Sequence, residues 1–366
     1  MHKDESMNLE EKIALVKEVA EGGEIITEEE LRQLFAEKAH PIAYDGFEPS
    51  GKMHLAQGIL RATNVNRMTK AGCKFKMFVA DWHAWANNKM AGDLEKIQTV
   101  GKYLIEIWRA CDMDFKNVEF VWASELMRED SYWKTVMNVA RTTTLNRILR
   151  CSQIMGRSES ESLYASQIFY PCMQAADIFE LKADITQLGM DQRKVNMLAR
   201  EVGPKLGFWK PVAVHHHMLM GLGQPKADVK DAVERAIAMK MSKSIPDSAI
   251  FMTDSEEDIK RKISKAYCPE KQVEENPIME YAQYLVFPKF GKLKLERPAK
   301  FGGDLKLASF EELKNQYAEG KVHPMDLKNS VAQSINRMVA PAREHFEKNA
   351  KARELKALVE GFEVTR

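Results

Sequence analysis

The chain has 366 residues, 45% of them hydrophobic and 29% charged, with a formal net charge of +1. That length allows one to three domains around a large core, and near-neutrality excludes nucleic-acid binding by bulk charge, leaving only local patches. Five scattered cysteines without a Cys-x-x-Cys pair argue against a zinc site or a disulfide framework and fit a reducing, cytoplasmic setting; the polar amino terminus lacks an apolar signal core, and no apolar run approaches the ~20 residues that span a bilayer.

Residues 1–40 read as a helical extension. Leu9, Ile13, Val16 and Ala20 form one apolar stripe that ends at Gly22-Gly23, and Thr27 with Glu30 makes a capping box ahead of Leu31, Leu34 and Phe35. From Ala43 an apolar start suggests a strand, the stretch Gly46 to Gly51 punctuates a tight loop, and Leu55, Ile59, Leu60, Val65 and Met68 then recur at helical spacing. Further strands are expected over Phe75–Ala80, Val118–Trp122, Ala183–Leu188 and Pro211–His215. They alternate with helices over Leu94–Cys111, Trp133–Cys151, Pro171–Leu181 and Gln192–Val202. This alternation predicts an α/β fold with a doubly wound parallel sheet. A polar loop is expected over Gly156–Ser162 and a charged helix over 225–240. From about residue 256 helices dominate: Ser309 with Glu312 caps one, and His323-Pro324 opens another that carries Leu327, Val331, Ile335 and Met338 on one face.

Several stretches carry chemistry. The loop after Ala43-Tyr44-Asp45-Gly46 joins a strand end to a helix start, where free N–H groups favour an anion such as phosphate. Gly46, Gly51 and Lys52 fit a P-loop until Met53 stands where Ser or Thr is needed for magnesium, and Pro49 removes one N–H. Tyr170, Gln174 and Asp177 fall four and three residues apart, on one face of an otherwise apolar helix. They read either as a satisfied core network or as a pocket gripping a polar ligand, with Asp177 accepting from a hydroxyl. Gly189 permits close backbone approach, and Asp191 at a strand end suits a ribose hydroxyl or a helix cap. Lys240-Met241-Ser242-Lys243-Ser244 reads as a cationic loop able to stabilise charge on a transferring phosphate. His215-His216-His217 is a poor metal site, because adjacent strand positions face opposite ways.

The stretch Gly46-Phe47-Glu48-Pro49-Ser50-Gly51-Lys52-x-His54-Leu55, with Lys240-Met241-Ser242-Lys243-Ser244, resembles the two signatures of class I aminoacyl-tRNA synthetases in the form carried by tyrosyl enzymes of archaeal and eukaryotic type. Tyr170-Pro171-x-Met173-Gln174-x-x-Asp177, Met190-Asp191-Gln192-Arg193-Lys194, Ala266-Tyr267-Cys268-Pro269, Arg297-Pro298-x-Lys300-Phe301-Gly302-Gly303-Asp304 and His323-Pro324-x-Asp326-Leu327-Lys328 extend the likeness from about residue 41 to 345. The resemblance implies a Rossmann-like catalytic domain over 41–255 and a mainly α-helical anticodon-binding domain over 256–366. It implies that Tyr44 and Asp177 bind a phenolic hydroxyl, while Tyr170, Gln174 and Gln192 hold the ammonium and backbone atoms of tyrosine. It places Gly46, His54, Gly189 and Asp191 toward ATP, with Lys240, Met241, Ser242, Lys243 and Ser244 closing on its phosphates; His54, Lys240 and Lys243 carry the catalysis. Arg150, Arg193 and Lys194 would meet the tRNA acceptor stem, and Phe301, His323 and Asp326 would read the first anticodon base. ATP with Mg2+ enters as substrate, no structural metal is implied, and a homodimer is. The first signature departs from its usual His-x-Gly-His by reading His54-Leu55-Ala56-Gln57, which puts the ATP contact of Gln57 in question. The sister tryptophanyl enzyme and a non-catalytic tRNA- or protein-binding relative are the competing readings.

Overall fold

In a computed structural model of the chain, residues 7–156, 162–225, 235, 238–241 and 246–362 are described. The loop expected over Gly156–Ser162 and the helix expected over 225–240 fall mostly outside them. A six-stranded sheet runs through the first two-thirds of the chain, in the order β1 (Glu24–Ile26), β6 (Val212–His216), β5 (Ile185–Gly189), β2 (Ile42–Phe47), β3 (Lys74–Val79), β4 (Val118–Trp122). All neighbours from β6 to β4 pair parallel. The chain leaves β2 toward β3 and β4, then returns to β5 on its other side. That reversal opens a crevice at the carboxyl ends of β2 and β5, where ligands bind in such sheets.

The period-2 alternation of strand side chains gives the sheet two covered faces. Ala43, Phe47, Phe75, Met77 and Val79 belong to one core, and Tyr44 and Phe78 to the other. The second core is closed by the helices Asp130–Arg141, Ala165–Glu180 and Arg193–Val202. The first continues without a break into the carboxyl-terminal helices, including Pro324–Lys348 and Ala350–Glu360, and past a small hairpin of β7 (Leu293–Leu295) and β8 (Leu305–Leu307). His345 Nε2 meets Glu106 at 2.7 Å and the Phe346 ring packs on Tyr103, so the long helix is fastened to the helix Leu94–Ala110.

Three local features differ from the sequence expectation. Between the capped helices Leu9–Val19 and Glu28–Glu37 the chain forms β1, which pairs antiparallel with β6 and turns the extension into a sheet edge. The helix expected over Trp133–Cys151 is two, Asp130–Arg141 and Leu145–Leu149. Thr142 donates its hydroxyl back to Asn138 and Val139 carbonyls, ending the first, and Thr144 accepts from Arg147 N–H to cap the second. Pro171 was expected in a first turn, yet the helix begins at Ala165 and Pro171 sits inside it. The start is fixed earlier because the Gln167 amide oxygen accepts from Tyr164 N–H at 3.0 Å.

The approach of β1 to β6 admits no side chain at Gly23: a Cβ there would lie 2.0 Å from the His215 carbonyl oxygen. Gly23→Ala is expected to force β1 off the sheet edge and to cost about 1–3 kcal/mol, the usual range for overpacking. Thermal unfolding monitored by circular dichroism checks it, against Gly223→Ala, whose Cβ meets nothing within 4 Å and should leave Tm unchanged.

Candidate active site

The two signature stretches, far apart in sequence, are brought together by backbone hydrogen bonds. Leu55 N–H donates to the Ile250 carbonyl (2.9 Å) and Met252 N–H to that of Met53 (2.8 Å), with His54 opposite Phe251. Gly221 N–H donates to Met239 and Lys240 bridges to Met220, so the second stretch is tied to the segment leaving β6. After His54 the first helical turns, Ala56–Leu60, are wound as a π-helix, a distortion common at functional sites. Gly58 lets Met252 pack against it: a Cβ there would sit 2.5 Å from the Met252 sulfur and force that side chain to move.

Between these segments and the ends of β2 and β5 lies a cleft. Tyr44, Gly46, His54, Gln57, Tyr170, Gln174, Asp177, Gly189, Asp191, Gln192, Lys240 and Met241 all line it. Ser242, Lys243 and Ser244 lie outside the described residues. The cleft also holds Glu48, Arg61 and His83, to which sequence reasoning assigned no role, and His216, which it weighed only as a metal ligand.

At the closed end Asp177 is fully buried, and side chains from two other helices approach it. Tyr132 O–H donates to Oδ1 at 2.8 Å, and His83 Nε2 stands 2.9 Å from Oδ2. Burial, with the Asp177 charge next, pushes the Tyr44 and Tyr132 hydroxyls well above the ordinary tyrosine range, so both stay protonated. Asp177 therefore acts as an acceptor in a site walled by Phe78, His83 and Tyr170 rings in edge-on contact. Gln174 donates to Gln192 (3.0 Å), which donates to the Ile154 carbonyl (3.2 Å), and Tyr170 O–H donates to Glu48 (2.7 Å).

At the open end Lys240 Nζ lies 2.8 Å from Asp191 Oδ2. Burial alone would raise the Asp191 carboxyl, but Lys240 and Gln192 outweigh it and hold it below its usual range; Lys240 is raised in turn, chiefly by Asp191. A Cβ on Gly189 would come 2.6 Å from the Met218 sulfur and 2.7 Å from an Asp191 oxygen, so any larger residue would displace one or both side chains. Arg61 Nε lies 2.7 Å from the buried Asp45, whose carboxyl burial pushes up to about 6 against the pull of that guanidinium. The three histidines take different partners: His215 and His216 alternate on β6, while His217, just past the strand, lines the cleft beside His216. His215 meets Glu24 (3.0 Å) and Asn196 (2.9 Å), His216 meets Gln187 (2.7 Å) in the cleft, and His217 stacks on Tyr284. Among the described residues no group of three or more metal-ligating side chains forms.

The other expected contacts lie elsewhere. Arg150, Arg193 and Lys194 line a separate surface hollow with Arg147, Met197 and Glu201. Arg193 is paired there with Glu24 of β1 at 2.5 Å, and Arg147 with Glu201 at 3.0 Å. In the helical part His323 caps the helix Pro324–Lys348, its Nδ1 accepting from Met325 N–H, and Asp326 stands in the first turn. Phe301 ends the single turn Ala299–Phe301. Glu48 could have been singled out because it stands inside the first signature. His83 could have been flagged because it follows β3 at its carboxyl end.

A doubly wound sheet with a charged cleft at its switch point defines a nucleotide-type α/β enzyme site. The family model for class I tRNA synthetases of the tryptophanyl and tyrosyl group matches residues 36–340, and the chain belongs to that family. It is 50% identical over 364 residues to an Arabidopsis thaliana protein named tyrosine–tRNA ligase 1, cytoplasmic, covering 99% of this chain and 91% of that protein. Its fold is similar to that of the tyrosyl-tRNA synthetase of Pyrococcus horikoshii complexed with L-tyrosine (TM-score 0.89, 42% identity, 96% of this chain and 100% of that one). It is also similar to the Leishmania major tyrosyl-tRNA synthetase in complex with tyrosinol (TM-score 0.87, 44% identity, 97% of this chain), of which it spans 52%.

The buried His216 yields a pH prediction. Burial, reinforced by Arg61, lowers its pKa from 6.5 to about 3, so the folded state keeps it neutral while the unfolded chain takes up a proton below 6.5. Its contribution to stability is full above pH 6.5 and is lost as pH falls toward 3. Between pH 7 and 5 the loss should be about 2 kcal/mol. His216→Asn, which does not titrate, should flatten the pH dependence by that amount in paired denaturant titrations.

Proposed function

We propose that this chain is a tyrosine–tRNA ligase: it activates L-tyrosine with Mg-ATP to tyrosyl-adenylate and transfers the tyrosyl group to the 3′ end of tRNA(Tyr). The observation that carries this reading is the closed end of the cleft. A buried carboxylate, Asp177, already accepts from Tyr132 and faces His83, so its remaining acceptor capacity suits a phenol O–H, and the Tyr44 hydroxyl can donate to the same phenol oxygen. An indole N–H brings one donor and no acceptor, so it satisfies Asp177 but not Tyr44. Phenylalanine would leave both unpaired, a discrimination for which tyrosyl enzymes are themselves the standing example.

The substrate's carboxylate attacks the α-phosphorus of ATP and pyrophosphate leaves. A terminal ribose hydroxyl of the tRNA then attacks the acyl carbon of the adenylate and AMP departs. The first step calls for no protein nucleophile or general base; positioning and charge stabilisation supply the rate. Tyr170, Gln174 and Gln192 orient the amino acid. Gly46, His54, Gln57, Gly189 and Asp191 face the nucleotide. Lys240 exchanges Asp191 for a phosphate as Asp191 takes the ribose hydroxyl. The hollow at Arg150, Arg193 and Lys194 receives the acceptor stem, and Phe301, His323 and Asp326 meet the anticodon. The cytoplasmic setting follows the Arabidopsis relative's name, and among the described residues no helix is long and apolar enough to cross a membrane. A homodimer is supported by the exposed apolar side chains Trp85, Trp133, Met137, Leu145 and Phe169, with the Trp82 ring edge-on to Trp85 and tilted against Trp133.

Amino-acid-dependent pyrophosphate–ATP exchange, run with tyrosine, tryptophan and phenylalanine in parallel, is expected to proceed with tyrosine alone. Exchange with tryptophan, or with none of the three in folded protein, would remove the reading. Light scattering should give twice the chain mass, and Trp133→Glu should bring it to the single-chain value; a wild-type monomer would refute the dimer.

A further inference from the structure

The ammonium of a bound amino acid is a full positive charge. The groups that hold it by resemblance, Tyr170, Gln174 and Gln192, are all neutral. A cation taken out of water into such a cage requires an anion nearby. The described residues of the cleft offer four carboxylates, and three are engaged. Asp45 is paired with Arg61 (2.7 Å), Asp191 with Lys240 (2.8 Å), and Asp177 lies between Tyr132 (2.8 Å) and His83 (2.9 Å) at the phenol end. Glu48 differs. Its hydrogen-bond partners are neutral donors, Tyr170 O–H at 2.7 Å and Asn87 Nδ2 at 3.1 Å, and its ion pair, with Lys89 outside the cleft lining, is long at 3.8 Å against 2.7 Å for Asp45 and 2.8 Å for Asp191.

The direction of the Tyr170 bond matters. Its hydroxyl, which burial and then Glu48 keep protonated, spends its only proton on Glu48. Its oxygen lone pairs are therefore left to accept, which suits an N–H of an ammonium and would suit nothing that only accepts. Asn87 in turn fixes Glu48 from behind: its amide nitrogen also reaches the Met155 carbonyl at 3.2 Å, and its amide oxygen accepts from Gln167 at 3.2 Å.

We propose that Glu48 is the anionic partner of the substrate's α-ammonium group, a positioning residue that acts through Tyr170 and makes the cleft selective for an amino acid over the corresponding amine-free acid. This rests on the tyrosine reading above.

The test is a pair of ligands on a pair of variants. Binding of L-tyrosine and of 3-(4-hydroxyphenyl)propionate, which lacks only the amine, is measured by calorimetry on wild type and Glu48→Gln. In Glu48→Gln tyrosine should weaken by about tenfold to a hundredfold, the range for a hydrogen bond to a charged group. The amine-free acid should change less than about twofold, since it never meets that charge. Equal weakening of both ligands would mean a merely structural role, and no weakening of tyrosine would mean another counter-ion; either overturns the proposal. Tyr170→Phe should show the same selective loss, and the double variant should lose little more than either single one; additive losses would refute action through Tyr170. If wild type itself fails to bind tyrosine, the reading of the substrate has failed, independently of Glu48.

Discussion

A short antiparallel seam, Met53–Leu55 against Ile250–Met252, is the constraint on which the site depends. It joins the loop that follows β2 to the segment that follows the second signature. Neither piece could hold its position alone, because each is a loop at the rim of the sheet. The seam makes them one wall, and the Lys240–Asp191 ion pair closes that wall against the end of β5. Gly58 lets Met252 pack directly beneath it, so the seam is supported from the core and shielded from water, where its hydrogen bonds count most.

The cleft behind the wall gathers more buried charge than a stable fold would choose. Buried ion pairs return little net stability, and they are costly to break one partner at a time. Their persistence here fits a site built for ligands and not a core optimised for stability. Asp45 and His216 register the same burial from opposite sides: the acid is pushed up to about 6 and the base down to about 3. Both therefore lean toward their neutral forms, and the Arg61 guanidinium bears on each, favouring the ionised Asp45 and opposing a protonated His216.

Much of this was legible in the sequence, for identifiable reasons. Val118–Trp122 was read to the residue because its β-branched and aromatic residues favour a strand even at the sheet edge, where β4 is only partly covered. Tyr170, Gln174 and Asp177 stood out because polar side chains at helical spacing on an apolar helix must meet something. What escaped depended on partners distant in the chain. β1 is three residues long and exists only because Gly23 lets it approach β6. The end of the helix at Arg141 rests on the Thr142 hydroxyl turning back onto the backbone, which composition does not reveal. Glu48 and His83 have no telling spacing; their meaning comes from Tyr170, 122 residues from Glu48, and from Asp177.

This pairing of charges bears on how the site works. An empty cleft with isolated ions would bind counter-ions or water tightly and would have to shed them before each turnover. Lys240 and Asp191 neutralise each other in the free protein, and in the proposed reaction a nucleotide brings a phosphate for one and a ribose hydroxyl for the other. Glu48 is held by Tyr170 and Asn87, with Lys89 at 3.8 Å, and on the proposal above it waits there for an ammonium. On those proposals substrate binding becomes an exchange of partners among charges already desolvated, so most of the desolvation cost is met during folding and little of it at the moment of reaction. That preorganisation is the condition under which fixed dipoles and ions stabilise a transition state better than water does.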